Sequence, residues 1–125
     1  MSDTIVLTIP SGPAYRGVAS LVLGGVGSRL DLPYERVDDL QLAVLSMLEA
    51  SGDDDARVEI SADDERLAVS VGPLRPGAES DDGLALVLRR LADGVETRRR
   101  DEASWLTVFL ARARAAAPQG GATQG

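Results

Sequence analysis

Two pairs of short alternating segments constrain this chain most. Arg57–Ser61 and Leu67–Val71 flank the turn Ala62-Asp63-Asp64-Glu65. Val95–Arg99 and Trp105–Leu110 flank Arg100-Asp101-Glu102-Ala103-Ser104. Alternation with a period of two sends successive side chains to opposite faces of a strand. Linkers this short can join only antiparallel neighbours, because a parallel crossover needs a dozen or more residues. Each pair therefore reads as a hairpin. A further strand is expected at Thr4–Ile9, stopped by Pro10 and Gly12. On it Ile5, Leu7 and Ile9 make a better core face than Thr4, Val6 and Thr8.

Between these segments the apolar period changes to that of a helix. Residues 14–30 open after Ser11-Gly12-Pro13, and Val18, Leu21, Val22, Val26 and Leu30 follow helical spacing. Gly24, Gly25 and Gly27 interrupt them, each costing about 1 kcal/mol relative to Ala. Either the helix is irregular there or another backbone packs closely. Residues 33–50 give the clearest helix. Pro33 suits a first turn, where its missing N–H is not needed. Glu35, Asp38 and Asp39 lie at the end where the dipole favours anions. Val37, Leu40, Val44, Met47 and Leu48 form its stripe, widened by Leu42 and Leu45. Residues 72–82 are a loop rich in Gly, Pro and acids, and 83–92 a helix with Leu84, Val87, Leu88 and Leu91 at helical spacing. The order predicts an α+β two-layer sandwich, a mostly antiparallel sheet covered on one face by three helices. Residues 1–112 are expected to form one domain, and 113–125, without core residues, a disordered tail.

Absent residue types remove whole classes of chemistry. The 125 residues include no Cys and no His, so thiolate sites, His-based triads and His-ligated zinc are closed. They include no Lys, which a P-loop requires, and no Asn. All 13 positive charges are Arg, against 20 carboxylates, and the net charge of −7 disfavours nucleic acid. Seven Arg fall within residues 89–114, but no aromatic ladder accompanies them for base stacking, so a solvated strand edge and helix face is the better reading. The acidic turns lack the ligand spacing of a calcium loop, and no metal site is expected. No apolar run reaches the roughly 18 residues of a membrane span, and Met1-Ser-Asp-Thr lacks the basic start of a secretory signal. A cytoplasmic location is expected.

Several strings resemble the anti-sigma factor serine kinases, small bacterial switch proteins of the histidine-kinase-like (Bergerat) ATPase superfamily. Ile9-Pro10 running into Ala14-Tyr15-Arg16-Gly17-Val18 is similar to the family's opening strand and first helix. The string from Asp31 through Leu-Pro-Tyr-Glu-Arg-Val-Asp-Asp-Leu-Gln-Leu-Ala to Val44 resembles the start of its second. Arg89 and Leu91-Ala-Asp-Gly-Val95 look like the end of its third helix and the strand that follows. The resemblance spans roughly residues 3–112.

It implies a nucleotide site whose motifs this chain has lost. The family's second helix carries a Glu that activates the attacking hydroxyl, and four residues later an Asn that ligates magnesium. Those places fall on Ser46 and Ala50, and Glu49 is the nearby carboxylate, out of register. The family's Asp-x-Gly-x-Gly turn is here Val71-Gly72-Pro73-Leu74, and its phosphate-cradling Gly-x-Gly is Asp81-Asp82-Gly83-Leu84-Ala85. Gly72 and Gly83 remain as remnants. The expectation is a pseudokinase with no nucleotide or metal cofactor that acts by binding a sigma factor or an anti-anti-sigma antagonist. The resemblance also implies a homodimer, and a module that only forms a heterodimer with an active paralogue is a third reading. Tyr15, Arg16, Ala19 and Ser20 are the candidate partner-binding residues. The alternative is an active ATP-dependent serine/threonine kinase with unorthodox residues such as Glu49, Asp81 and Asp82.

Overall fold

The computed structural model describes residues 4–52 and 54–112. The order is β1 (Thr4–Ile9), α1 (Arg16–Arg29), α2 (Tyr34–Glu49), β2 (Ala56–Ala62), β3 (Arg66–Gly72), α3 (Asp82–Leu91), β4 (Gly94–Arg100) and β5 (Ala103–Ala111). Short 3-10 turns at Pro13–Tyr15 and Ala78–Ser80 precede α1 and α3. The expected tail at 113–125 lies outside the described residues.

The strands form one five-stranded sheet in the order β1-β2-β3-β5-β4, with every pairing antiparallel. This is the expected α+β two-layer sandwich. Alternation assigns the faces. Val58, Ile60, Leu67, Val69, Val71, Leu106, Val108 and Leu110 are buried towards the helices. They meet Ala19 and Leu23 of α1, Leu40, Ala43, Val44, Met47 and Leu48 of α2, and Leu88 of α3 in one core. On β1 the expected face holds, with burial increasing from exposed Ile5 to Ile9.

The glycines of α1 do not break it, because it is helical throughout residues 16–29. A Cβ on Gly27 would lie 2.6 Å from Cγ2 of Val37, so α2 approaches closely there. Gln41 Nε2 donates to the Ser20 carbonyl at 2.7 Å along the same seam. This contact turns α1 so that Ala19, Leu23 and Gly27 face inward. Val18 and Leu21, expected in the core stripe, are instead 48% and 78% exposed. Leu42 and Val87 also point outward, at 53% and 44% exposure.

The helix-free face of the sheet covers its own aromatic rings. Trp105 and Phe109 lie on it, yet both are buried. The Arg100 guanidinium sits 4.0 Å from the Trp105 ring centroid, and that of Arg66 sits 4.1 Å from Phe109. Arg100 crosses Trp105 to reach Glu59, donating from Nη1 to Oε1 at 2.9 Å and from Nη2 to Oε2 at 3.2 Å. That contact holds the Glu59 carboxyl below its ordinary range against a smaller opposing effect of burial. The Arg-rich strip is thus partly paired within the molecule. Arg98 meets Glu96 at 2.9 Å, and Arg99, on the other side of β4, donates to the Glu102 carbonyl at 2.9 Å.

Candidate functional site

A cleft of about 440 Å³ opens where the C-terminus of α2, the N-terminus of α3 and the loop between β3 and α3 converge. Ser46, Glu49 and Ala50 contribute from α2, Arg75 and Asp81 from the loop, and Gly83, Leu84 and Val87 from α3. Three of the four positions singled out by resemblance, Ser46, Ala50 and Gly83, therefore share one site. Gly72 does not line it.

The loop reaches this place because its own backbone and apolar residues tie it down. Leu74 is buried in the core, and its N–H donates to the Ser104 carbonyl at 2.9 Å. The Arg75 N–H donates to the Ala50 carbonyl at 2.9 Å, which caps the last turn of α2. Ala78 is buried within the following turn. Arg75 is thereby delivered to the cleft mouth. Its Nη1 donates to the Glu49 carbonyl at 3.2 Å, and its Nη2 lies 3.8 Å from Asp81 Oδ2.

Each polar group of the site has a partner of its own. Ser46 Oγ donates to the Leu42 carbonyl at 2.9 Å, one turn back along the helix. Ala50 offers no side-chain oxygen. Asp81 Oδ1 accepts from the Leu84 N–H at 3.0 Å and is the N-cap of α3. A phosphate at this helix start would need the same N–H groups and positive field that the carboxylate already uses. The Glu49 side chain is 68% exposed, with Oε2 3.9 Å from Arg16 Nη1. The site thus lacks the carboxylate in register, the metal-ligating amide and the open helix start that the resemblance calls for. The residues present do not fit a magnesium-bound nucleotide.

The two remnant glycines have structural reasons. A Cβ on Gly72 would lie 2.5 Å from Cγ of Trp105 on the helix-free face. A Cβ on Gly83 would lie 3.3 Å from Asp81 Oδ1.

The candidate partner-binding residues divide. Tyr15 is 48% exposed at the junction of the 3-10 turn and α1. Arg16 follows it, half-buried, with Nη1 3.9 Å from Glu49 Oε2. Ala19 is fully buried against the core, so it offers no surface to a partner and is removed from the set. Ser20 is half-buried, and its carbonyl is bound to Gln41. Sequence reasoning missed Arg75, whose signal was an Arg held between two prolines in Pro73-Leu-Arg-Pro76.

Among the described residues no group of three or more acids is placed to hold a metal ion, and no helix is long and apolar enough to cross a membrane.

No family model matches the chain. Parts of it are similar to curated serine-protein kinases named RsbW. With the Oceanobacillus iheyensis protein it is 45% identical over 42 residues, covering 34% of this chain and 27% of that one. With the Bacillus subtilis protein it is 40% identical over 43 residues, covering 34% and 27%. With a Listeria monocytogenes serotype 4a protein it is 33% identical over 66 residues, covering 48% and 42%. The chain thus matches less than half the length of these relatives.

Proposed function

We propose that this chain is an anti-sigma-type regulator that works by binding protein rather than by transferring phosphate. On this reading it keeps the histidine-kinase-like ATPase scaffold and binds no nucleotide. The observation that carries the reading is the Asp81 carboxylate on the α3 N-terminus, held beside Arg75, where a phosphate would have to sit. Ser46 and Ala50 in place of a base and a metal ligand support it. The similarity to serine-protein kinases supports a place in the same kind of regulation. The partner is a sigma factor or an anti-anti-sigma antagonist, met at Tyr15 and Arg16. Assembly with a second copy or an active paralogue belongs to the same reading, as does a cytoplasmic location.

Co-purification with sigma-type and antagonist proteins in nucleotide-free buffer tests it. Capture that is lost in the double variant Tyr15→Ala, Arg16→Glu is the expected result. Capture that requires Mg-ATP, or that survives the double variant unchanged, contradicts it.

The second reading, an active serine/threonine kinase, is favoured by one feature, the exposed Glu49 carboxylate on the cleft wall. On that reading Glu49→Gln abolishes phosphorylation of an antagonist.

A further inference from the structure

The two edges of the sheet differ in kind. β4 closes one side, and Glu96, Arg98, Arg99 and Arg100 put charge along it. Charge on an edge strand resists pairing with another chain, as do prolines and bulges. β1 closes the other side with Thr4-Ile-Val-Leu-Thr-Ile9, which carries no charge and no proline. It pairs with β2 one residue to one, from Thr4 opposite Ser61 to Ile9 opposite Ala56, so no bulge bends it away. Among the described residues no loop or side chain hydrogen-bonds to the outer side of β1.

Apolar surface continues from this edge. Ile5 is 41% exposed on the helix side and Val6 49% on the helix-free side. α1 packs above β1. Ala19, Leu23 and Gly27 face the core and Gly24 lies against Gln41 of α2, so helical spacing puts Val18, Val22 and Val26 on the flank away from α2. Val26 and Ile5 line one hollow of about 360 Å³ with Leu30 and Ile60, which makes flank and strand contiguous.

We propose that β1 pairs antiparallel with β1 of a second copy about a two-fold axis at Val6, joining the two sheets into one. Residues directly opposite each other in such a pair lie on the same face. The pairing sets Val6 of each copy opposite the other, Ile5 opposite Leu7, and Thr4 opposite Thr8. It uses Thr4–Thr8, the stretch that solvent reaches, and leaves out buried Ile9. Apolar residues thus meet apolar ones beneath the α1 flanks, and on the helix-free face the valine pair lies between two threonine pairs. Such cross-strand pairs are favourable. An unrelated strand would have to supply this pattern, whereas a second copy supplies it by symmetry. Because β1 is uncharged, the net −7 sets no like charges opposite each other within the pair. The charged β4 edges then bound the joined sheet, and association stops at two. This inference rests on the second-copy assembly within the proposed function and names its surface.

Sedimentation equilibrium of the full chain, from micromolar to millimolar concentration, tests it. A dimer is expected, strengthened by added salt, because screening weakens repulsion between two chains of −7. Val6→Lys sets two ammonium groups opposite each other and should weaken association about tenfold or more. Thermal melting should hardly change, because Val6 is outside the core. The chain has no Cys, so introduced cysteines report the register without background. Under mild oxidation the Val6→Cys chain should cross-link to itself. A mixture of Thr4→Cys and Thr8→Cys chains should link to each other in preference to themselves. A chain that stays monomeric at millimolar concentration, a dimer undiminished by Val6→Lys, or Thr8→Cys self-linking as readily as Val6→Cys overturns the proposal. A dimer that salt dissolves overturns it in favour of contact through the charged helix-free face. Capture of a sigma-type protein by a chain that stays monomeric overturns this pairing and leaves the regulatory reading standing.

Discussion

The ring of Trp105 occupies the space that a side chain at Gly72 would need, with Cγ 2.5 Å from the Cβ position. Gly72 closes β3 and Trp105 lies on β5, beneath the Arg100 guanidinium. Gly72→Ala should therefore displace the indole and cost about 1–3 kcal/mol. Urea unfolding followed by the fluorescence of this single Trp measures both effects.

Close approach also governs the helix pair. Gly27→Ala drives a methyl group into Val37, a stiff β-branched side chain 2.6 Å from the Cβ position. A loss of about 1–3 kcal/mol is expected, and Val37→Ala in the same chain should recover part of it. A double-mutant cycle by chemical denaturation checks the coupling.

Asp81 caps α3 through the Leu84 N–H. Asp81→Ala should cost about 1 kcal/mol of stability, read from the denaturant midpoint. Ala50→Asn alone should leave magnesium-nucleotide binding absent, because it restores one ligand and leaves the capped helix start unchanged. A thermal shift with Mg-ATP in the Ala50→Asn variant would contradict this account of the cleft.

The Glu59–Arg100 pair predicts a pH dependence. Its bidentate hydrogen bonds lower the folded-state pKa of Glu59 from the ordinary 4.5. The stability it contributes is fully present above that value and is lost as pH falls through the lowered folded value. Both side chains are partly exposed, so Glu59→Gln should cost about 1 kcal/mol or less at neutral pH. Thermal melts of the two proteins should converge as acid protonates Glu59.

The architecture was legible because it rests on local periodicity. All five strands and all three helices lie where alternation and helical spacing put them, and the short linkers specified antiparallel pairing. The phase of α1 was not legible. Its apolar residues surround the axis, and the choice between Leu21 and Gly27 as the inward side depends on how near α2 can come. The same contact explains why Ala19, chosen as a surface residue, is in the core. Ser46, Ala50 and Gly83 could be placed by counting along matched strings, and the cleft brings them together. Arg75 could not, because its position follows from Leu74 entering the core and from hydrogen bonds to residues distant in sequence.

Isothermal calorimetry of the full chain with ATP and with ADP, in millimolar magnesium, tests the central claim most directly. The capped α3 terminus and the missing ligands predict no saturable heat with either nucleotide. Saturable binding in the micromolar range would contradict the account and return the chain to the active kinases.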